Sequence, residues 1–305
     1  MRIENLLPYF GRAITKFVFT PLFTRKVVRE LKPNEAWVLA KIRSALQLSA
    51  AEAQRVYRRG IGSEINFQLD YAWIAQAKKQ RILAELARTR IEHLGRVQQV
   101  MQTGRPVILL SIHMGSFYFG FLKLAMEVQA EREINIVKMA SANSQEDSLH
   151  RLIEEKFGAV KVLRFDDDVG KNAYLALRRG GIVAMMSDVE VRVPSREKVP
   201  FFGQDCFMQS GVARLALTTR AIILPVINFE TASGERVIRI EQPLFPEPAH
   251  RGESNQQVVA RLMQQIASLF ETWVQIDPQQ FQRWTDLAWT MYQHADAKEP
   301  VKAAS

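Results

Sequence analysis

The sequence predicts an α/β fold, a mainly parallel sheet with flanking helices, preceded by a helical N-terminal region. Two observations carry this reading. Residues from about 34 to 100 are helical in pattern and poor in strands, whereas beyond them short apolar runs alternate with amphipathic ones. The stretch Pro106–Gly120, PVILLSIHMGSFYFG, is the clearest unit. Its apolar run Val107–Leu110 reads as a buried strand, Gly115 and Ser116 as a turn, and Phe117–Val128 as a helix. A strand that stops at a glycine and turns into a helix leaves its last side chains at the carboxyl edge of a sheet, where open α/β folds place their ligands.

The N-terminal region carries the charge. Residues 1–60 hold twelve Lys/Arg against four Glu, so an excess of eight lies there out of a net charge of +9. Such a surface implies an anionic partner, nucleic acid or an acidic membrane face. Leu6, Leu7, Phe10, Ile14, Phe17, Val18 and Leu22 recur at helical spacing with Arg12 and Lys16 between them. This favours a helix lying in a membrane interface, with an ordinary helix packed on its own domain as the alternative. The uncharged run Phe17–Thr24 is far shorter than the roughly 20 apolar residues that span a bilayer. Arg12 and Lys16 interrupt any apolar core of a cleavable signal. Nucleic acid is disfavoured, because aliphatic residues stand where a stacking platform would need aromatics. The single cysteine, Cys206, excludes an internal disulfide.

In chain order, Ser49 followed by Glu52 predicts a capping box, and Ile74–Leu94 a second helical stretch. Strands are expected at Val107–Ile112, Ile134–Met139, Val160–Phe165, Ile182–Met186, Ala221–Phe229 and Val237–Ile240. Helices are expected at Phe117–Val128, Ser144–Phe157, Val169–Arg179, Ser210–Thr219, Asn255–Gln275 and Gln279–Tyr292. The organisation is then a basic helical region over 1–95 with a membrane-surface segment at about 3–24, an α/β domain over 96–294, and a flexible tail over 295–305.

Candidate chemistry begins with His113, whose imidazole at a strand end suits proton transfer to or from a hydroxyl. Ser187-Asp188-Val189-Glu190 places two carboxylates just past another strand, able to orient an imidazole, grip a cation or pair with Arg192. Phe201 and Phe202 line an apolar groove or pack as core under a loop. Ser210-Gly211 opens a helix carrying Arg214, suited to an anion. Asp166, Asp167 and Asp168 are read as the N-cap and first-turn charges of a helix, and no metal site is expected. His93, His150, His250 and His294 have no partner pattern, and Ser111 and Cys206 lack the turn of a hydrolase nucleophile.

In order and spacing these blocks resemble the lauroyl/myristoyl acyltransferases of lipid A biosynthesis, within the lysophospholipid acyltransferase superfamily. The blocks are Ile91-Glu92-His93-Leu94, Gly104 to His113 with the following Met-Gly-Ser-Phe, Ser187 to Glu190, Val199 to Gly203, Gly211 to Ala216, Ala221 to Pro225, and Asp277 to Trp284. The resemblance implies a glycerolipid acyltransferase-like fold on the cytoplasmic face of a bacterial inner membrane, peripheral or monotopic. It implies transfer of a fatty acyl group from an acyl carrier protein or coenzyme A thioester to a lipid hydroxyl, with no further cofactor. His113 would be the general base, Lys138 and Arg214 would bind phosphate or carboxylate groups, and Phe201 and Phe202 the acyl chain.

The sequence departs from that pattern at two places. Lys138 stands where the resemblance implies an arginine after the second strand, and it has a different donor geometry. The acid expected five residues after the histidine is Tyr118, which carries no charge at neutral pH. Three readings are open: Asp188 or Glu190 orients the imidazole, the acceptor or thioester differs, or the protein binds carrier or lipid without turnover.

Overall fold

The computed structural model describes residues 12–30, 32–128, 132–138, 144–158, 160–164, 168–188, 195–248 and 251–284. Residues 1–11, Glu190 and the expected tail lie outside these.

Helices open the chain: α1 (Arg12–Glu30), α2 (Lys32–Leu46) and α3 (Ala50–Gln76). The capping box at the start of α3 is formed, with Ser49 Oγ accepting from Glu52 N at 3.3 Å and Ser49 N donating to Glu52 Oε2 at 2.9 Å. The predicted helix over Ile74–Leu94 is instead three pieces. Helix α3 ends at Gln76, α4 runs Lys79–Ala87, and Thr89–Glu92 is a strand, β1, before α5 (Leu94–Gln102). Pairing of β1 with a distant strand, sealed by an Arg239–Glu92 ion pair at 2.6 Å, overrides local helix propensity.

The α/β part follows the expected alternation: β2 (Val107–Ser111), α6 (Phe117–Val128), β3 (Ile134–Lys138), α7 (Ser144–Phe157), β4 (Val160–Arg164), α8 (Val169–Arg178) and β5 (Ile182–Met186). After these come β6 (Arg196–Phe201), β7 (Gln204–Gln209), α9 (Gly211–Thr219), β8 (Ile222–Glu230), β9 (Arg236–Ile240) and α10 (Asn255–Ile276). Seven strands form one sheet in the order β1-β9-β8-β2-β5-β3-β4, and only the β8–β9 pair is antiparallel. The α/β fold with a mainly parallel sheet and a helical N-terminal region is therefore as the sequence predicts.

The strands read as continuous apolar runs because both faces are covered. Ile108, Leu110, Val183 and Ile223 point into one core with α8, α9 and α10. Val107, Leu109, Ile182 and Leu224 point into the other with α4, α5 and α6. Helix α3 gives Ala53 to Ile61 to the first core and Tyr71 to Ala75 to the second, so it passes around the end of the sheet.

Three local expectations are corrected. The Phe201-Phe202 segment is the corner of the β6–β7 hairpin, whose turn residues Phe202 and Gly203 have φ of 48° and 69°. Two left-handed residues match the twist of the flanking strands. Asp168 stands at the N-cap of α8, but at φ 56° its side chain makes no capping bond; Asp166 and Asp167 lie outside the described residues. Residues 279–283 are not helical, because Phe281 is buried and bridges Met114.

Candidate active site

The parallel register of β2 and β5 aligns Ser111 with Met186. Continuing that register two residues past the strand ends brings His113 beside Asp188. The contact is made twice: His113 Nδ1 lies 2.8 Å from Asp188 Oδ1, and His113 N donates to Asp188 Oδ2 at 2.7 Å. Asp188 is buried and the His113 side chain is 15% exposed, so the acid is sealed while the imidazole reaches the surface. A carboxylate only accepts, so Nδ1 carries the proton and Nε2 keeps its lone pair. The ring is further held by the edge of Phe117, 5.1 Å away, which in turn stacks on Phe67 at 4.3 Å.

The turn after His113 is fixed from a distant part of the chain. Gln282 N donates to His113 O at 2.9 Å, Gly115 N donates to Gln280 O at 3.2 Å, and Gln282 Nε2 donates to Gly115 O at 2.8 Å. Gly115 has φ 56°, and a Cβ there would sit 2.9 Å from Asn228 O, so only glycine fits. Residue 116 begins a second polar group. Ser116 Oγ lies 3.0 Å from buried Asp70 and 3.1 Å from Glu230, and Lys16 on α1 reaches Asp70 at 2.7 Å.

Above this group is a cleft of about 840 Å³ walled by α1, α3, the end of β8 and the turn after α10. Gly115 and Ser116 form part of its floor. Helix α1 packs on α3 through Thr20, which donates to Asn66 at 2.6 Å, yet leaves Phe17, Val18 and Leu22 exposed at 83%, 45% and 57%. One face of the helix is thus packed on its own domain and another is apolar and open. Among the described residues, no helix is long and apolar enough to cross a membrane.

The other expected site residues fall elsewhere. Tyr118 is buried with its ring edge-on to Tyr71 at 4.9 Å, and burial pushes its hydroxyl well above the ordinary phenol range. It belongs to the core instead of a substrate surface. Phe201 is likewise buried, at 1% exposure, and Phe202 N is tied to the Glu271 carboxylate. Arg214 donates to Glu197 at 2.9 Å and to Ser210 Oγ at 3.0 Å. Lys138 ends β3, which pairs with β5, at the same sheet edge as Asp188. Cys206 is buried and its thiol is pushed up to about 12, which leaves it unreactive. Among the described residues no cluster of acids, histidines and cysteines could hold a metal.

The sequence reading missed Lys16, Asp70, Glu230, Gln280 and Gln282. The signal for Gln282 was present, since Asp277 to Trp284 stood among the blocks of the family resemblance. Asp70 had none, being one acid inside a long amphipathic helix.

Among curated proteins, no sequence matches the chain. A profile of the bacterial lipid A biosynthesis acyltransferases matches residues 45–286, which includes β2, β5 and the whole turn that carries His113. With most of its length matched, including the His113–Asp188 pair, the chain belongs to the bacterial lipid A biosynthesis acyltransferase family.

Proposed function

We propose that this protein is a membrane-associated acyltransferase that moves a fatty acyl group from an acyl carrier protein or coenzyme A thioester to a hydroxyl of a lipid A-like acceptor. The observation that carries this reading is the His113–Asp188 pair at the carboxyl edge of the sheet. Nε2 takes the proton from the acceptor hydroxyl as its oxygen attacks the thioester carbonyl. Asp188 stabilises the imidazolium through a charge-assisted bond worth about 1.5–3 kcal/mol. Collapse of the tetrahedral intermediate breaks the C–S bond, and the imidazolium returns its proton to the departing thiolate. No covalent enzyme intermediate is needed. Asp188 fills the orienting role that the sequence pattern assigns to the position of Tyr118, which supports turnover over mere binding.

The basic α1 with its exposed Phe17, Val18 and Leu22 supports a location on the cytoplasmic face of a bacterial inner membrane, with the helix in the interface. The test is loss of acyl-carrier thioester in the presence of membrane lipid extract. Wild type should consume thioester and form an acylated lipid, and His113→Ala should not. Equal rates for the two would sink the proposal.

A further inference from the structure

The cleft beside the catalytic turn carries more positive charge than its fold uses. Lys16 is committed to Asp70. Arg25, Arg58 and Arg59 also line the cleft, all three exposed, and among the described residues no hydrogen bond or ion pair holds any of them. The two acids in the lining are occupied. Glu230 lies 3.7 Å from Lys16, and Asp277 accepts from Gln279 N and from Gln280 Nε2. Three such guanidinium groups around one concavity match a phosphate dianion, which takes paired N–H bonds from a planar fork better than from an ammonium.

We infer that this cleft is the site for the phosphomonoester headgroup of the lipid acceptor, held by Arg25, Arg58 and Arg59. The inference rests on the acyltransferase reading for the fate of the bound lipid, but not for binding itself. Two features argue for a lipid. Arg25 and Pro21 line the cleft while their neighbours on α1, Val18 and Leu22, are exposed apolar residues, so the opening adjoins the face suited to a bilayer. The cleft floor at Gly115 and Ser116 begins two residues after His113, which puts it within about 10 Å of the imidazole-bearing backbone.

The test is binding of the full chain to two sets of phosphatidylcholine vesicles matched in surface potential. One set contains phosphatidic acid, whose headgroup is a phosphomonoester, and the other phosphatidylglycerol, whose headgroup is not. Wild type should prefer the first by about tenfold or more, as expected for extra charge-assisted bonds to a dianion. The Arg25→Gln/Arg58→Gln/Arg59→Gln variant should show a ratio near one. A control neutralising Arg88, Lys161 and Lys198, exposed cations outside the cleft, should keep the preference, and so should His113→Ala. A wild-type ratio of one, or an unchanged ratio in the arginine variant, overturns the inference. So does saturable binding of glycerol 3-phosphate that is as tight without vesicles, which would make the ligand a free phosphate. Weaker binding of an acidic acyl carrier protein with an intact vesicle ratio overturns it in favour of the donor. None of these readings needs turnover, so failure of the acyl-transfer assay is a separate result.

Discussion

Asp188 holds His113 at both its ring and its backbone, with Oδ1 on Nδ1 at 2.8 Å and Oδ2 on the main-chain N–H at 2.7 Å. An asparagine keeps the shape but turns one acceptor into a donor. It must then face either the backbone N–H with an NH₂ group or Nδ1 with the wrong partner, and the imidazole shifts to the tautomer with Nε2 protonated. Asp188→Asn should therefore lower acyl transfer by about four orders of magnitude, as in comparable triads, with the circular dichroism spectrum unchanged. Initial rates of thioester loss give the answer, and a drop under tenfold would remove Asp188 from the mechanism.

Tyr118 occupies the position where the family pattern puts an acid, yet its ring is packed in the core on Tyr71. Tyr118→Glu should gain no activity and should lose about 3 kcal/mol or more of stability, because it buries a charge without a partner. Tyr118→Phe should keep the wild-type rate. Urea denaturation and thioester assays of both variants decide this, and faster transfer by Tyr118→Glu would contradict it.

Helix α6 touches β8 at Gly120, where a Cβ would stand 1.6 Å from the Asn228 side-chain oxygen. Asn228 is buried and, among the described residues, neither polar atom of its side chain has a hydrogen-bond partner, so that side chain is the part able to yield. Gly120→Ala should cost about 1–3 kcal/mol from overpacking. Adding Asn228→Ala should recover most of that loss, so a double-mutant cycle will show a coupling energy of about 1 kcal/mol or more. Additive losses would mean the helix shifts as a body instead.

Glu92 joins β1 to β9, and the hydrogen bond from Arg239, helped by Arg90, holds its carboxyl below the ordinary value of 4.5 against the effect of burial. A lowered value in the fold means that the ionised form stabilises it. This contribution is fully present above pH 4.5 and is lost as the pH falls through the lowered value. Glu92→Gln should therefore be less stable by about 1 kcal/mol near neutrality, the two proteins converging in acid. Melting temperatures measured across that range test it, and a gap that widens in acid would reverse the sign.

How much of this was legible in the sequence depends on how local each cause is. The sheet strands were readable because a strand covered on both faces is apolar throughout, and the Ser49–Glu52 cap because its two bonds join residues three apart. β1 was hidden, since Thr89–Glu92 is short and gains its conformation only from Arg236–Ile240. The β6–β7 turn was hidden because one of its left-handed residues is Phe202, not glycine or asparagine. At the site, His113 and Asp188 could each be named from strand ends. Their union depends on which strands are neighbours, and in this sheet β2 and β5 are separated by two intervening strands in sequence. The cleft needed helices and loops from distant parts of the chain brought together, which no single window of residues records.

The bond from Gln282 to Gly115 joins residues 167 apart. During synthesis at about 5–20 residues per second, the turn that carries His113 waits on the order of ten to thirty seconds for the segment that braces it. A nascent chain released before Gln280 emerges would hold every strand of the sheet and both members of the His113–Asp188 pair. The turn after His113 would still be unbraced. The chain thus becomes a finished scaffold before the turn that carries His113 is locked in place.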